Sequence, residues 1–230
     1  RVPDEADWAA ATPALREELL RAALDADPVA TRAFLRNVLP TERSDTQERL
    51  LRVLAERPDP ADATLEDVLD GLRRSRSRAV VSGATTLLAR LPGTAFQTRM
   101  ESRLRELAHV LETKGRRGAV PAALTDEAAV ADGLPGEIAG PVPALEAALR
   151  LSHPDTVLRA LGGPQATVAL VEKHGGAQAL IASLSNGPAE DLALAVERLL
   201  RATDRPSLLP HLPLAERERR ALDWLATATT

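Results

Sequence analysis

Cysteine and tyrosine are both absent from this 230-residue sequence. Without a thiol the chain has no disulfide, no thiolate nucleophile and no cysteine-ligated zinc or iron–sulfur site. Cysteine-free chains fit a reducing compartment, so we expect a cytoplasmic protein.

Aromatic side chains are nearly absent as well, at 2% of the sequence: Trp8, Phe34, Phe96 and Trp224. Enzyme pockets and surfaces that stack nucleobases usually depend on aromatic rings, so their scarcity disfavours both kinds of site. The core must consist of leucine, alanine and valine, a composition typical of closely packed helices.

No apolar run approaches the roughly 20 residues that cross a bilayer, and the first residues lack the layout of a secretion signal, so we expect no membrane association. The chain begins with Arg1 rather than methionine, and we expect it to be a piece of a longer polypeptide. Its net charge of −4 argues against broad, non-specific attraction to nucleic acid, although it does not exclude a local basic patch.

Apolar residues recur at spacings of three and four almost everywhere, which predicts an all-α protein without a sheet. Thr12-Pro13 and Asp27-Pro28 are typical helix starts, since each places a capping oxygen before a proline in the first turn. They open predicted helices at 13–25 and 28–39. Ser44 with Gln47 is interpreted as a capping box for a helix at 45–57, and Thr64 with Asp67 as a weaker one.

Two apolar stripes, Leu65 to Leu72 and Val80 to Leu91, flank a polar turn at Arg73 to Ser77. This pair of short amphipathic helices is similar to a HEAT-type repeat, so the predicted fold is a stack of helical hairpins, a HEAT-like α-solenoid. A long helix follows at 94–113.

The segment from Lys114 to Pro143 is dense in glycine and proline, with one short helix expected between Ala123 and Ala131. We therefore predict an N-terminal subdomain at 1–113, a connecting segment at 114–143 and a C-terminal subdomain at 144–230. Within the last, helices are expected at 143–151, 154–161, 164–174, 177–184, 188–203 and 213–227.

The dense basic cluster Arg73, Arg74, Arg76 and Arg78 falls in the turn between the two stripes, and Arg116-Arg117 form a smaller pair. One interpretation is a solvated turn whose arginines face acids such as Asp67 and Asp70. The other is a set of contacts to phosphates or to an acidic partner.

The four histidines, His109, His153, His174 and His211, lie in four segments, and no two have the i, i+4 spacing of a helical metal site. We expect them at the surface or at helix ends. Glycine pairs such as Gly162-Gly163 lack the context of a phosphate loop and are expected to form turns. The sequence therefore predicts no catalytic residue, no metal site and no cofactor.

The segment from Glu56 to Met100 resembles part of an uncharacterised bacterial family of helical-repeat proteins, a domain of unknown function. The resemblance is carried by Leu65 to Asp70, Arg78, Ala84, Leu87 to Ala95 and Arg99-Met100, and later by Pro121 to Gly133. It implies a longer protein, and genes that lie beside those of MoxR-type AAA ATPases, von Willebrand factor A (VWA) domain proteins and SWIM zinc-finger proteins. Partners of those kinds are implied by the resemblance alone.

Stacked hairpins offer a long, shallow surface rather than a closed pocket, so the leading hypothesis is a non-catalytic scaffold or adaptor for proteins. The alternative is a HEAT-like repeat that binds nucleic acid, with Arg73, Arg74, Arg76, Arg78, Arg116 and Arg117 lining one concave groove. A third hypothesis, an enzyme with a dispersed site, requires a histidine to meet a carboxylate in a cleft. The oligomeric state is not predicted.

Overall fold

The computed structural model of the chain describes residues 2–187, which form twelve α-helices joined by short turns and 3₁₀ segments, without a strand among them. The all-α prediction is therefore confirmed for this part of the chain. The helices are α1 (Glu5–Ala10), α2 (Pro13–Ala26), α3 (Pro28–Val38), α4 (Ser44–Glu56), α5 (Glu66–Leu72), α6 (Arg78–Arg90), α7 (Ala95–Lys114), α8 (Glu127–Ala131), α9 (Pro141–Arg150), α10 (Pro154–Leu161), α11 (Pro164–His174) and α12 (Ala177–Ser183).

The proline-marked helix starts are where the sequence predicts them. Thr12 accepts a hydrogen bond from the Leu15 amide at 3.3 Å, and Asp27 accepts one from the Ala30 amide at 3.0 Å. Each cap satisfies an amide that the first helical turn leaves without a backbone partner. The predicted helices at 188–203 and 213–227 lie outside the described residues.

The capping box predicted at Ser44 is wrong. Helix α4 already includes Ser44, its N-cap is Arg43, and no side chain caps it. Gln47 instead turns inward and donates a hydrogen bond from Nε2 to the Leu39 carbonyl oxygen at 3.1 Å. A buried amide that satisfies a carbonyl of a neighbouring turn outweighs a local cap, and the local spacing does not reveal that long-range demand.

The weaker box at Thr64 and Asp67 is also wrong, since Leu65 precedes α5 and no side chain caps that helix. The true capping box lies five residues earlier at Asp59 and Asp62, where it opens a 3₁₀ segment, Pro60–Leu65. Asp62 is almost fully buried and pairs with Arg32 of α3 at 2.6 Å. Burial raises the pKa of Asp62 despite this partner.

In the N-terminal half, helices that alternate along the chain pack side by side. Helix α4 contacts both α2 and α6, whereas α3 contacts α2 and the 3₁₀ segment before α5. In the C-terminal half, α7 contacts α9 and α10, and α9 contacts α12. Helices α5 and α6 contact each other across the turn that the sequence predicts at Arg73 to Ser77.

Helix α7 connects the two hydrophobic cores. Near its start, Phe96 and Met100 are fully buried in the first core, which holds the apolar faces of α2 to α6. Further along, Leu104, Leu107 and Leu111 are fully buried in the second core, with α9 to α12. A single helix of twenty residues, about 30 Å long, thus spans both cores.

The connecting segment is compact rather than extended. The predicted helix at 123–131 appears as a 3₁₀ turn, Ala122–Leu124, followed by α8, because Asp126 caps the Ala129 amide at 2.7 Å and starts a new helix. Leu124 and Ala129 are fully buried in the second core. Within residues 2–187, no helix combines the length and the apolar character that a bilayer crossing demands.

Candidate functional site

A cleft of about 440 Å³ lies where the two cores meet. Its walls come from the turn before α6, from α6 itself, from Gly133 of the connecting segment and from Arg150 and Leu151 at the end of α9. Leu151 packs against both cores, so the cleft sits at their junction.

Three arginines line this cleft, and we call it the arginine cleft: Arg76, Arg78 and Arg150. All three side chains are exposed, and no described carboxylate lines the cleft with them. None of the three forms a hydrogen bond or an ion pair through its side chain with a described residue, whereas most other arginines do, as in Arg36 with Asp67 and Arg159 with Glu101. Three arginines without a described ionic partner therefore lie together in this cleft.

The backbone behind Arg150 is held firmly. Asn186 donates hydrogen bonds from Nδ2 to the carbonyl oxygens of Arg150 and Ser152, each at 3.0 Å. Arg150 ends α9, where a cation interacts favourably with the helix dipole. Its backbone is thus fixed while its guanidinium remains available to a ligand.

Gln97 of α7 holds the two sides of the junction together. Its side chain is fully buried and donates from Nε2 to the carbonyl oxygens of Leu88 in α6, at 3.0 Å, and of Leu151, at 3.2 Å. Its Oε1 accepts from the His153 amide at 2.9 Å. One amide side chain therefore joins the end of α6 to the turn between α9 and α10, and residues of both lie in the cleft wall.

Hydroxyl groups line the α6 wall of the cleft: Ser82, Thr85 and Thr86. They follow Arg78 at helical spacings that keep them on one side of α6. None of the three forms a hydrogen bond within residues 2–187. Several other helical hydroxyls bond back to the carbonyl four residues earlier, as Thr98 does to Thr94 at 3.1 Å and Thr167 to Gly163 at 2.8 Å. The cleft hydroxyls remain available as donors.

Arg73, the first arginine of the predicted cluster, turns away from the cleft. Its side chain is 6% exposed and pairs with Asp132 at 2.8 Å and with Asp70. Its guanidinium also lies 5.2 Å from the centre of the Phe96 ring. The interpretation that this arginine faces Asp70 agrees with the structure, whereas Asp67 pairs with Arg36 instead.

Asp132 pairs with three arginines in one ionic cluster. It accepts hydrogen bonds from Arg73, from Arg99 at 2.8 and 2.9 Å and from Arg103 at 2.5 Å, and its side chain is 3% exposed. Burial works to raise the pKa of Asp132, but the hydrogen bonds from Arg99 and Arg103 outweigh it and lower that pKa. The cluster fastens the connecting segment to α7.

The other predicted arginines do not form one groove. Arg74 is exposed and outside the cleft lining, and Arg117 is exposed beside Arg116. Arg116 donates to the Lys173 carbonyl oxygen at 3.3 Å, at the end of α11. Gly175, two residues after Lys173, lies close to Val142 at the start of α9, whereas Arg150 lies at the other end of that helix. The structure brings Arg76 and Arg78 together with Arg150, a residue that the sequence pattern does not single out.

Two of the histidines are buried rather than superficial. His153 caps α10 and His174 ends α11, so both lie at helix ends, one of the two positions that the sequence predicts, although their side chains are buried at 3% and 5% exposure. Burial lowers the pKa of both rings. His109 is exposed, and His211 lies outside the described residues.

Neither buried histidine lines the arginine cleft, and among the described carboxylates His153 approaches only that of Asp155, two residues along, at 3.6 Å. Residues 2–187 contain no group of three or more histidine, aspartate or glutamate side chains placed to hold a metal ion.

Comparison with known proteins gives one match. A model described as a family of unknown function, DUF5691, matches residues 1–230. No curated protein and no solved structure matches the chain.

Proposed function

The chain belongs to DUF5691, a family of unknown function, and we propose that it is a non-catalytic binding module in which the arginine cleft receives an acidic segment of a partner protein. The observation that carries the proposal is the convergence of Arg76, Arg78 and Arg150 in one cleft with no described carboxylate among them. Most of the other described arginines pair with a nearby acid, as Arg36 does with Asp67 and Arg159 with Glu101. A concave site that lacks such acids attracts negative charge from a ligand.

The form of the cleft favours a protein segment as the ligand. A volume of about 440 Å³ accommodates a few side chains, and its apolar floor, including Val81, Ala89 and Leu151, adds hydrophobic contact to the charge. Charged groups around such a floor supply specificity and a fast association rate. A partner that presents acidic and apolar side chains together fits both features.

The wider proposal is a scaffold of stacked helical hairpins. Its support is the side-by-side packing of α2, α4 and α6 with α3 and α5 outside them, an alternation that hairpin repeats produce. The resemblance described above adds that the partner is an AAA ATPase or a VWA-domain protein, acting with the chain in a cytoplasmic assembly. That last step rests on the resemblance and not on contacts in the chain.

Nucleic-acid binding ranks second because its own condition is poorly met. That function requires the six predicted arginines to line one groove. Arg73 instead pairs with buried Asp132, and Arg116 lies near the start of α9, away from the cleft at the end of that helix. The net charge of −4 opposes it further. No observation on residues 2–187 favours this function over protein binding.

The test is affinity capture from native lysate with three matched baits. The cleft variant carries Arg76→Gln, Arg78→Gln and Arg150→Gln. The control variant carries Arg43→Gln, Arg74→Gln and Arg117→Gln, which removes three positive charges from arginines that are equally exposed and equally unpaired but lie outside the cleft. Captured proteins are identified by mass spectrometry, first for an AAA ATPase.

We expect a specific partner to bind the wild type and the control variant and to be lost from the cleft variant. Equal recovery with all three baits would place the binding surface elsewhere and refute the role of the cleft. Recovery of nucleic acid that is lost to the same extent in both variants would favour the second function, because phosphate contacts distribute over all basic residues.

A further inference from the structure

We infer that the arginine cleft recognises a phosphoryl group, carried by a phosphorylated serine or threonine of the partner protein. This inference rests on the proposed function and narrows it to one ligand chemistry. It draws on an observation that the proposed function does not use, namely the hydroxyl groups on the α6 wall.

The first argument is the kind of donors. Arg76, Arg78 and Arg150 each present guanidinium N–H groups that no described residue occupies. A guanidinium is planar and pairs with phosphate through two parallel hydrogen bonds, which is why arginine predominates in phosphate recognition.

The second argument is the unused hydroxyl groups. Ser82, Thr85 and Thr86 lack the backbone bond that Thr98 and Thr167 form, and all three line the same cleft as the arginines. A serine or threonine hydroxyl donates to a phosphate oxygen as readily as to a carbonyl. Ser82 and Thr86 are exposed and Thr85 is half-buried, so all three hydroxyls can reach a ligand in the cleft.

The third argument compares the number of hydrogen-bond donors in the cleft with the number of acceptor oxygens on the ligand. A carboxylate has two oxygens and one charge, which a single guanidinium satisfies. A phosphoryl group has three terminal oxygens and a charge of about −1.5 to −2 at neutral pH. Three arginines together with three hydroxyls exceed what one aspartate or glutamate can use, and they match a tetrahedral dianion.

A phosphorylated protein is favoured over the phosphates of nucleic acid. Nucleic acids bind along a continuous basic track and often stack bases on aromatic rings. The arginine cleft contains no aromatic side chain, and the next predicted basic pair lies beyond the far end of α9. The site suits one phosphoryl group presented on a short segment.

The experiment measures binding of fluorescent peptide libraries to the purified chain by anisotropy. Each library has a central phosphoserine or phosphothreonine flanked by mixed residues, and matched libraries carry the unmodified residue or glutamate at that position. The wild type, the cleft variant and the control variant are compared. Inorganic phosphate and a short single-stranded DNA serve as further probes.

We expect the phosphorylated libraries to bind wild type at least about tenfold more tightly than the unmodified and glutamate libraries, with that preference lost in the cleft variant and kept in the control variant. A smaller variant, Thr85→Val with Thr86→Val, should weaken the phosphorylated libraries about threefold to tenfold and leave the glutamate library unchanged.

Equal binding of phosphorylated and glutamate libraries would overturn the phosphoryl inference and leave the proposed function intact. Binding of inorganic phosphate or DNA as tightly as the phosphorylated libraries would overturn it too, since the site would then take a free phosphate or a nucleic acid. Phosphatase treatment of the lysate before capture separates the two claims. The inference predicts loss of the partner, whereas unchanged capture that still requires the cleft arginines supports the proposed function alone.

Discussion

Replacement of Asp132 by asparagine should strongly destabilise the protein. The cluster contains three arginines, Arg73, Arg99 and Arg103, and two carboxylates, Asp70 and Asp132, so its net charge rises from +1 to +2 when Asp132 is neutralised. The Arg73 and Arg103 side chains are each 6% exposed and cannot turn to solvent without disturbing the packing. Removal of one partner from a buried pair costs about 3 to 5 kcal/mol.

The lower end of that range applies here. Asp70 keeps contact with Arg73 and Arg99, and the Arg99 side chain is 38% exposed, so water compensates part of the loss. We therefore expect a loss of about 3 kcal/mol, seen in urea as a midpoint lowered by roughly 1 to 1.5 M for an m value of about 2 to 3 kcal/mol/M. The measurement is equilibrium unfolding followed by far-UV circular dichroism.

The matched control is Asp45→Asn, an exposed aspartate in the first turn of α4, for which a loss below about 1 kcal/mol is expected. Adding Arg103→Gln to Asp132→Asn should recover part of the stability, because it removes the charge left without a partner. A loss below about 1 kcal/mol in Asp132→Asn itself would show that this cluster does not hold the connecting segment, and would refute the reasoning.

Three further changes test other parts of the structure. Gln97→Leu should cost about 2 to 4 kcal/mol in urea unfolding, because it removes the hydrogen bonds that Gln97 forms with the Leu151 carbonyl and the His153 amide; a loss below about 1 kcal/mol would contradict its role at the junction. His174→Leu should stabilise the protein more at pH 5 than at pH 8, because the His174 ring has a lowered pKa and an Nε2 without a described partner. The wild type keeps its full stability above the ordinary histidine pKa and loses stability as the pH falls through the pKa of His174 in the folded protein. A stability difference between the variant and the wild type that does not change with pH would contradict this. Gly71→Ala, in open space on α5, should stabilise the protein by about 0.5 to 1 kcal/mol and raise its thermal midpoint. Gly162→Ala, at a φ of +81°, should destabilise the protein by about the same amount or more and lower the midpoint. Midpoint shifts of the same sign would show that backbone conformation does not decide the effect.

Sequence periodicity predicts most of the helices because their determinants are local. Prolines in the first turn, capping side chains and left-handed glycines after the last turn act within a few residues, and α2, α3, α10 and α11 begin at the predicted prolines. The capping boxes at Ser44 and Thr64 were wrong because their side chains bond to other groups. Gln47 donates to the Leu39 carbonyl oxygen, Thr64 donates to the Ala61 carbonyl oxygen, and Asp67 pairs with Arg36.

The candidate site was only half predictable. Arg76 and Arg78 belong to an evident basic run, but nothing near Arg150 marks it as their companion, since the two sides meet only through contacts that span more than fifty residues, such as Gln97 with Leu151. The basic run also includes Arg73, which tertiary carboxylates remove from the surface.

The most direct test of the arginine cleft is NMR of the arginine side chains, with the Nε–Hε resonances assigned by single substitutions. On titration with the phosphorylated libraries, we expect selective shifts at Arg76, Arg78 and Arg150 and none at Arg43, Arg74 and Arg117. Equal shifts in both sets, or shifts confined to the second, would contradict a site at the junction of the two cores.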